Sequence, residues 1–252
     1  AIPVFVIRPQ TAAKDDQTPW LLYGYGGFNI SLTPGFRSRW LPWLDRGGSL
    51  AVANLRGGGE YGEQWHAAGT LGQKQNVFDD FIAVAEGLIE RRYTRKDKLA
   101  IIGGSNGGLL TAACMLQRPD LFGAVISAVP VTDMLRYTLF TVGRFWVSDY
   151  GDAKKSPEQF KFLYAYSPLH NVKEGVAYPP LLVTTAEGDD RVVPAHATKF
   201  IAAVQHADGG QNPLLLRVEG KAGHGHGKPT AKQIDEYADM YSFLFQVLEM
   251  GV

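Results

Sequence analysis

Cysteine is almost missing from this chain. The single Cys114 excludes an internal disulfide, and its place in an apolar, helix-like stretch marks it as a small buried residue rather than a reactive thiol. Charge of one sign is missing too. Lys plus Arg and Asp plus Glu number 25 each, so there is no basic excess to hold phosphates and nucleic acid is excluded as a general partner. No apolar run approaches the roughly 18 residues of a membrane span, so no membrane partner is expected. Internal repeats, low-complexity tracts and charge blocks are also absent. So is an initiator Met: the chain opens on Ala1-Ile2-Pro3-Val4-Phe5-Val6-Ile7, already strand-like, and is expected to be a piece of a longer protein.

What is present is apolar and ordered. Its 252 residues fit one large α/β domain or two small ones, and 45% are hydrophobic, enough for a sizeable core. Strand-like runs recur at Val4–Ile7, Trp20–Tyr25, Ser49–Asn54, Leu99–Ile102, Ala124–Val129, Leu181–Ala186 and Leu214–Val218. Several are apolar throughout, as in strands covered on both faces. Between them, Asn76–Arg92 carries one helical stripe (Val77, Phe78, Phe81, Ile82, Ala85, Leu88, Ile89), with Asn76 as its expected N-cap. A last helix is expected from Thr230, where Thr230-x-x-Gln233 matches a capping box, with a stripe of Ile234, Tyr237, Tyr241, Leu244, Phe245 and Leu248. Strands alternating with helices imply a mostly parallel sheet with helices on both faces. The aromatic-rich stretch 132–176 interrupts that alternation and is a candidate substrate pocket, since ligands bind beyond the carboxyl ends of such strands.

The chemistry begins at Gly103-Gly104-Ser105-Asn106-Gly107. A β-like run enters Gly-x-Ser-x-Gly and leaves as a helix, the sequence form of a nucleophile elbow in an α/β-hydrolase fold. A serine hydroxyl at neutral pH needs a base, and the base needs an acid to fix its tautomer. In this fold they follow in the order Ser, Asp/Glu, His. The order is met. Glu187, Asp189 and Asp190 follow one late strand, and His224 and His226 follow the last. Spacing does not choose among the three acids or between the two histidines. His-x-His without cysteines or suitably spaced acids makes no metal site. His66, His170, His196 and His206 read as surface or packing residues. Tyr25-Gly26-Gly27 sits where the fold supplies the second half of its oxyanion hole, and a Tyr hydroxyl can donate there. The first half would be the Asn106 backbone N–H. Arg56-Gly57-Gly58-Gly59-Glu60 lacks the lysine and spacing of a phosphate loop and reads as structural.

Taken together, Gly103-Gly104-Ser105-Asn106-Gly107-Gly108, Gly24-Tyr25-Gly26-Gly27-Phe28, Asp189-Asp190-Arg191-Val192-Val193-Pro194 and Ala222-Gly223-His224-Gly225 resemble the catalytic domain of the prolyl oligopeptidase family, from about Ile2 to the C-terminus. The resemblance implies an endopeptidase that hydrolyses short peptides on the carboxyl side of proline, with no metal and no cofactor. It implies Ser105 as nucleophile, Asp189 as acid and His224 as base, with Tyr25 and Asn106 at the oxyanion. Arg191 would bind the substrate carbonyl one residue before the proline. Trp146 would stack on the proline ring, in a pocket walled by Phe28, Asn106, Val131, Tyr150 and Val192. Family members also carry an N-terminal β-propeller that this sequence lacks. That implies a peptidase domain over residues 1–252 whose partner is the propeller of the same polypeptide, monomeric, in the cytoplasm or periplasm. The rival readings are a carboxylesterase on the same fold and a sister peptidase of other specificity. A catalytically dead hydrolase is opposed by the intact triad residues.

Overall fold

The computed structural model describes residues 1–10, 16–220, 222–224 and 228–251. Seven strands form one sheet: β1 (Val4–Ile7), β2 (Trp20–Tyr23), β3 (Ser49–Ala53), β4 (Leu99–Gly104), β5 (Ala124–Ala128), β6 (Leu181–Ala186) and β7 (Leu214–Glu219). Their spatial order is β1-β3-β2-β4-β5-β6-β7. β1 runs antiparallel to β3, with Val4 opposite Ala53, and every other pairing is parallel. All seven expected strand runs are present, two with the expected ends and five with the C-terminal end shifted by one or two residues.

The helices are α1 (Leu41–Asp45), α2 (Glu63–Ala67), α3 (Gln75–Glu90), α4 (Asn106–Gln117), α5 (Val147–Tyr150), α6 (Pro157–Tyr166), α7 (Ala195–Ala207) and α8 (Thr230–Val247). Successive strand residues face opposite sides, and each side has its own helices. Trp20, Leu22, Ile101, Val125 and Val183 pack with Phe78 and Phe81 of α3, Leu109 of α4 and Phe200 of α7. Leu21, Ala100, Ile126 and Leu182 pack with Trp43 of α1 and Met240 and Leu244 of α8. Central strands covered twice have no polar face, which is why β2, β4 and β5 read as unbroken apolar runs. The edge strand β1 is largely exposed.

Three local expectations are corrected. Asn76 is not a cap: α3 begins at Gln75, and the Asn76 amide instead donates to the Ala68 carbonyl at 2.8 Å, tying the helix to the loop before it. Thr230 lies within the first turn of α8 and makes no cap bond, while Gln233 donates to the Lys228 carbonyl. Ile234 is 62% exposed, since the buried residues of α8 begin only at Met240.

The interruption after β5 is as expected. Short 3₁₀ turns at Tyr137–Leu139 and Gly143–Trp146 precede α5 and α6, and another at Pro168–His170 follows them. They lie beyond the carboxyl end of β5 and bring Trp146 and Tyr150 to the end of β4, where Ser105 sits.

Candidate active site

Ser105 occupies the turn from β4 into α4 with φ 58° and ψ −115°, a strained backbone for a residue with a side chain. Its N–H is held by the Ala128 carbonyl of the neighbouring strand at 2.8 Å. Close packing explains the flanking glycines. A Cβ at Gly103 would lie 2.2 Å from the Gly107 carbonyl oxygen, and one at Gly108 would lie 2.6 Å from that of Ala128. Asn106 is the first residue of α4, so its N–H is one of the four with no acceptor inside the helix, at the positive end of the helix dipole.

Of the three competing acids, Glu187 and Asp190 are exposed, whereas Asp189 is buried. Asp189 Oδ2 accepts from His224 Nδ1 at 2.7 Å. Its Oδ1 accepts the N–H groups of Arg191 at 3.1 Å and Val192 at 2.8 Å. A carboxylate oxygen can only accept, so the imidazole proton lies on Nδ1 and Nε2 is left as the basic nitrogen. His226 lies outside the described residues. Ser105, His224, Tyr25 and Arg191 line one cavity of about 620 Å³.

A smaller cavity of about 120 Å³ adjoins it, lined by Tyr25, Phe28, Ile30, Ser105, Val131, Trp146, Tyr150 and Arg191. Ligand pockets for whole small molecules run to roughly 300–1,000 Å³, so this one suits a single side chain. Its walls are aromatic: Trp146 stacks on Tyr137 (centroids 6.1 Å, planes 8° apart), and Tyr150 meets Phe28 edge-on at 5.3 Å. Asn106 and Val192, expected as walls, are not among its lining residues. Asn106 instead supports a wall from behind, accepting the Tyr150 hydroxyl at Oδ1 at 2.8 Å. Ile30 lines the pocket and had no signal in the sequence.

Tyr25 is half-buried, and burial, partly offset by Arg191, pushes its phenol up to about 12. It therefore stays protonated and able to donate. Asp149 was also missed. It accepts the Phe28 N–H at 2.7 Å and lies 3.0 Å from His66 Nε2, which holds Phe28 at φ 57° in the pocket wall. His66, read as a surface or packing residue, packs behind the pocket wall through Asp149. His196 packs under Thr132 and Asp133, accepting their N–H groups at 3.2 and 3.1 Å, and burial lowers it to about 4. In the Arg56–Glu60 loop, Arg56 pairs with Asp80 at 2.9 Å, and Glu60 accepts the Leu32 N–H, a structural use as expected. Cys114 is buried. Among the described residues no cluster could hold a metal, and no helix is long and apolar enough to cross a membrane.

The arrangement has the parts that acyl transfer needs: a strained serine, a histidine oriented by a buried acid, and a protonated Tyr25 lining the same cavities as the serine. Similarity to known proteins points the same way. The chain is 50% identical over 251 residues to a prolyl endopeptidase of Elizabethkingia miricola, covering 100% of this chain and 35% of that protein. A chain solved in a structural and mechanistic study of two prolyl endopeptidases superposes with a TM-score of 0.97 at 56% identity, covering 99% of this chain and 37% of its own. A post-proline cleaving enzyme from Rickettsia typhi gives a TM-score of 0.95 at 35% identity, over 100% of this chain and 36% of its own. The chain thus spans about a third of the length of these relatives. A sequence model described as Peptidase_S9, prolyl oligopeptidase family, matches residues 34–251, which contain Ser105, Asp189 and His224. By that match, and by relatives that share its fold from end to end, the chain belongs to the prolyl oligopeptidase family.

Proposed function

We propose that this chain is the catalytic domain of a serine endopeptidase that hydrolyses short peptides on the carboxyl side of proline. The observation that carries the reading is the aromatic cavity opening on Ser105, sized for one ring and free of carboxylates among its lining residues. Proline is apolar, flat-faced and lacks an N–H, so it suits Trp146, Phe28, Tyr150 and Val131. An aromatic face contributes about 0.5–1.5 kcal/mol beyond area burial.

In this mechanism His224 Nε2 takes the Ser105 proton as the hydroxyl oxygen attacks the carbonyl carbon of proline. The carbonyl oxygen gains charge between the Tyr25 hydroxyl and the Asn106 N–H. His224 then gives its proton to the departing amine. Water, deprotonated by His224, releases the acid from Ser105. Asp189 keeps the imidazole in the correct tautomer and stabilises its charge. Arg191, at the mouth of both cavities, binds the carbonyl one residue before the proline.

Because the chain spans about a third of its relatives, we place it as the peptidase domain of a longer polypeptide, beside a β-propeller of the same molecule. The rival readings are a carboxylesterase and a peptidase cutting after basic residues. Turnover of a Gly-Pro amide, an Arg amide and simple acyl esters by the intact protein separates the three. The proline amide is expected to be preferred. Comparable turnover of the Arg amide, or activity on esters alone, would replace this reading.

A further inference from the structure

Lys74 stands at the start of α3 and is 1% exposed, far from any role that the sequence motifs give it. Its stem is buried in the core and its ammonium ends under the oxyanion loop. Nζ donates to the Gly26 carbonyl at 2.8 Å and to Asn106 Oδ1 at 3.1 Å, and it lies 5.4 Å from the centre of the Tyr150 ring. Its partners are thus two neutral oxygens and an aromatic face rather than a carboxylate. An ammonium taken out of water without a paired carboxylate costs several kcal/mol, so an apolar residue would serve the core better at this place.

The geometry says what the charge does. Asn106 Oδ1 accepts from both Lys74 Nζ and the Tyr150 hydroxyl, so both of its lone pairs are used. That turns the amide nitrogen toward the loop, where it donates to the Tyr25 carbonyl at 2.5 Å. Gly27 leaves room for this contact, since a Cβ there would lie 2.7 Å from Asn106 Nδ2. Two successive carbonyls of the loop are pinned as a result: Tyr25 through the Asn106 amide, and Gly26 by Lys74 directly. The residue whose side chain holds the loop, Asn106, is also the one whose backbone N–H receives the oxyanion in the proposed mechanism.

We propose that Lys74 is a positioning residue for acyl transfer, its ammonium fixing the Tyr25 hydroxyl relative to the Asn106 backbone N–H by bonding the Gly26 carbonyl and the Asn106 amide oxygen. This rests on the catalytic reading given above. The groups that face the ammonium are Asn106 from α4, the Gly26 carbonyl from the loop after β2, and Asp149 and Tyr150 from α5. Burial lowers Lys74 to about 8, with Asp149 opposing that shift. Asp149 is itself bonded to His66 and to the Phe28 N–H. Tyr25 is raised to about 12 and does not titrate in the same range.

The test is a double-mutant cycle on the intact protein with a Gly-Pro amide. Lys74→Met keeps the length of the stem and removes the donors. It is expected to lower kcat about 10- to 100-fold, the scale of a small misplacement of catalytic groups, with KM nearly unchanged. In a Tyr25→Phe background, where no hydroxyl remains to be placed, the same change should cost only about two- to threefold. The wild-type single-turnover acylation rate should also fall above pH ~8, a fall that Lys74→Met removes. Equal costs of Lys74→Met in the two backgrounds, or an unchanged kcat, would overturn the proposal. Should Lys74→Met not fold, Lys74→Gln carries the same cycle with a shorter neutral donor. A wild type inert on the amide would sink the catalytic reading and this proposal together, whereas an active wild type with an additive cycle sinks only the role of Lys74.

Discussion

On the elbow side of the site, Asn106, Tyr150 and Lys74 are buried and bonded to one another, and through them the Tyr25 loop, α3, α4 and α5 meet at one amide. On the acid–histidine side, a buried Asp189 holds a partly exposed His224, and the flanking Glu187, Asp190 and Arg191 are exposed. In the proposed mechanism the difference follows from the task of each side. The oxyanion donors must stand still, because electrostatic stabilisation is preorganised and works best where water is excluded. The imidazole has to accept a proton and then hand it on, so its orientation matters more than its burial. One carboxylate, itself fixed by the Arg191 and Val192 N–H groups, supplies that orientation.

Substitutions on the two sides should differ in their cost. Ser105→Ala removes the atom both sides serve, and turnover should fall about 10⁶-fold, with loss of covalent labelling by an organophosphorus reagent. Labelling that persists would mean another nucleophile. Asp189→Asn keeps the shape of the acid side while favouring the wrong imidazole tautomer. A loss of about 10⁴-fold in kcat is expected, and a loss under tenfold would give the acid role to a neighbour. Tyr25→Phe removes one oxyanion donor and should cost about 10²–10³-fold in kcat. A near-normal rate would return Tyr25 to packing. Trp146→Ala should lower kcat/KM for the proline amide about 10- to 200-fold, with little change on an ester lacking the ring. Equal losses on both would argue that Trp146 supports the fold rather than the pocket.

The smallest effect has the sharpest sign. Lys74 is lowered to about 8 from 10.5, so between those values the unfolded chain binds more protons at this residue than the folded one. Stability to denaturant should therefore gain from Lys74 as pH rises from 8 toward 10, while catalysis declines. Chemical denaturation of wild type and Lys74→Met over this range measures the difference. A Lys74 contribution that falls with pH would contradict the buried, unpaired ammonium.

How much of this could be read from the chain varied with the range of the interaction. Ser105 was legible because an elbow is local: five residues in a row impose the turn and the close approaches around it. The strand runs were legible because burial on both faces leaves no polar position to confuse them. The acid and base were legible only as clusters, since Glu187, Asp189 and Asp190 differ in which way a loop turns them. The resemblance to a family, rather than spacing, singled out one of each. Lys74 and Asp149 gave no signal, because their contacts join residues 32 or more apart that only the fold brings together. Asn76 and Thr230 failed for the opposite reason. Each has the right residue for a cap, but a neighbouring loop offered Asn76 another bond and α8 starts one residue earlier than a Thr230 cap requires.

In the proposed function one serine, with an aromatic pocket beside it, cuts after proline. The most direct measurement is mass spectrometry of the products when the intact protein meets a set of short peptides carrying a single proline at varied positions, beside Ser105→Ala. New carboxyl termini ending in proline, absent with Ser105→Ala, are predicted. Cleavage at other residues, or the same products from Ser105→Ala, would contradict it.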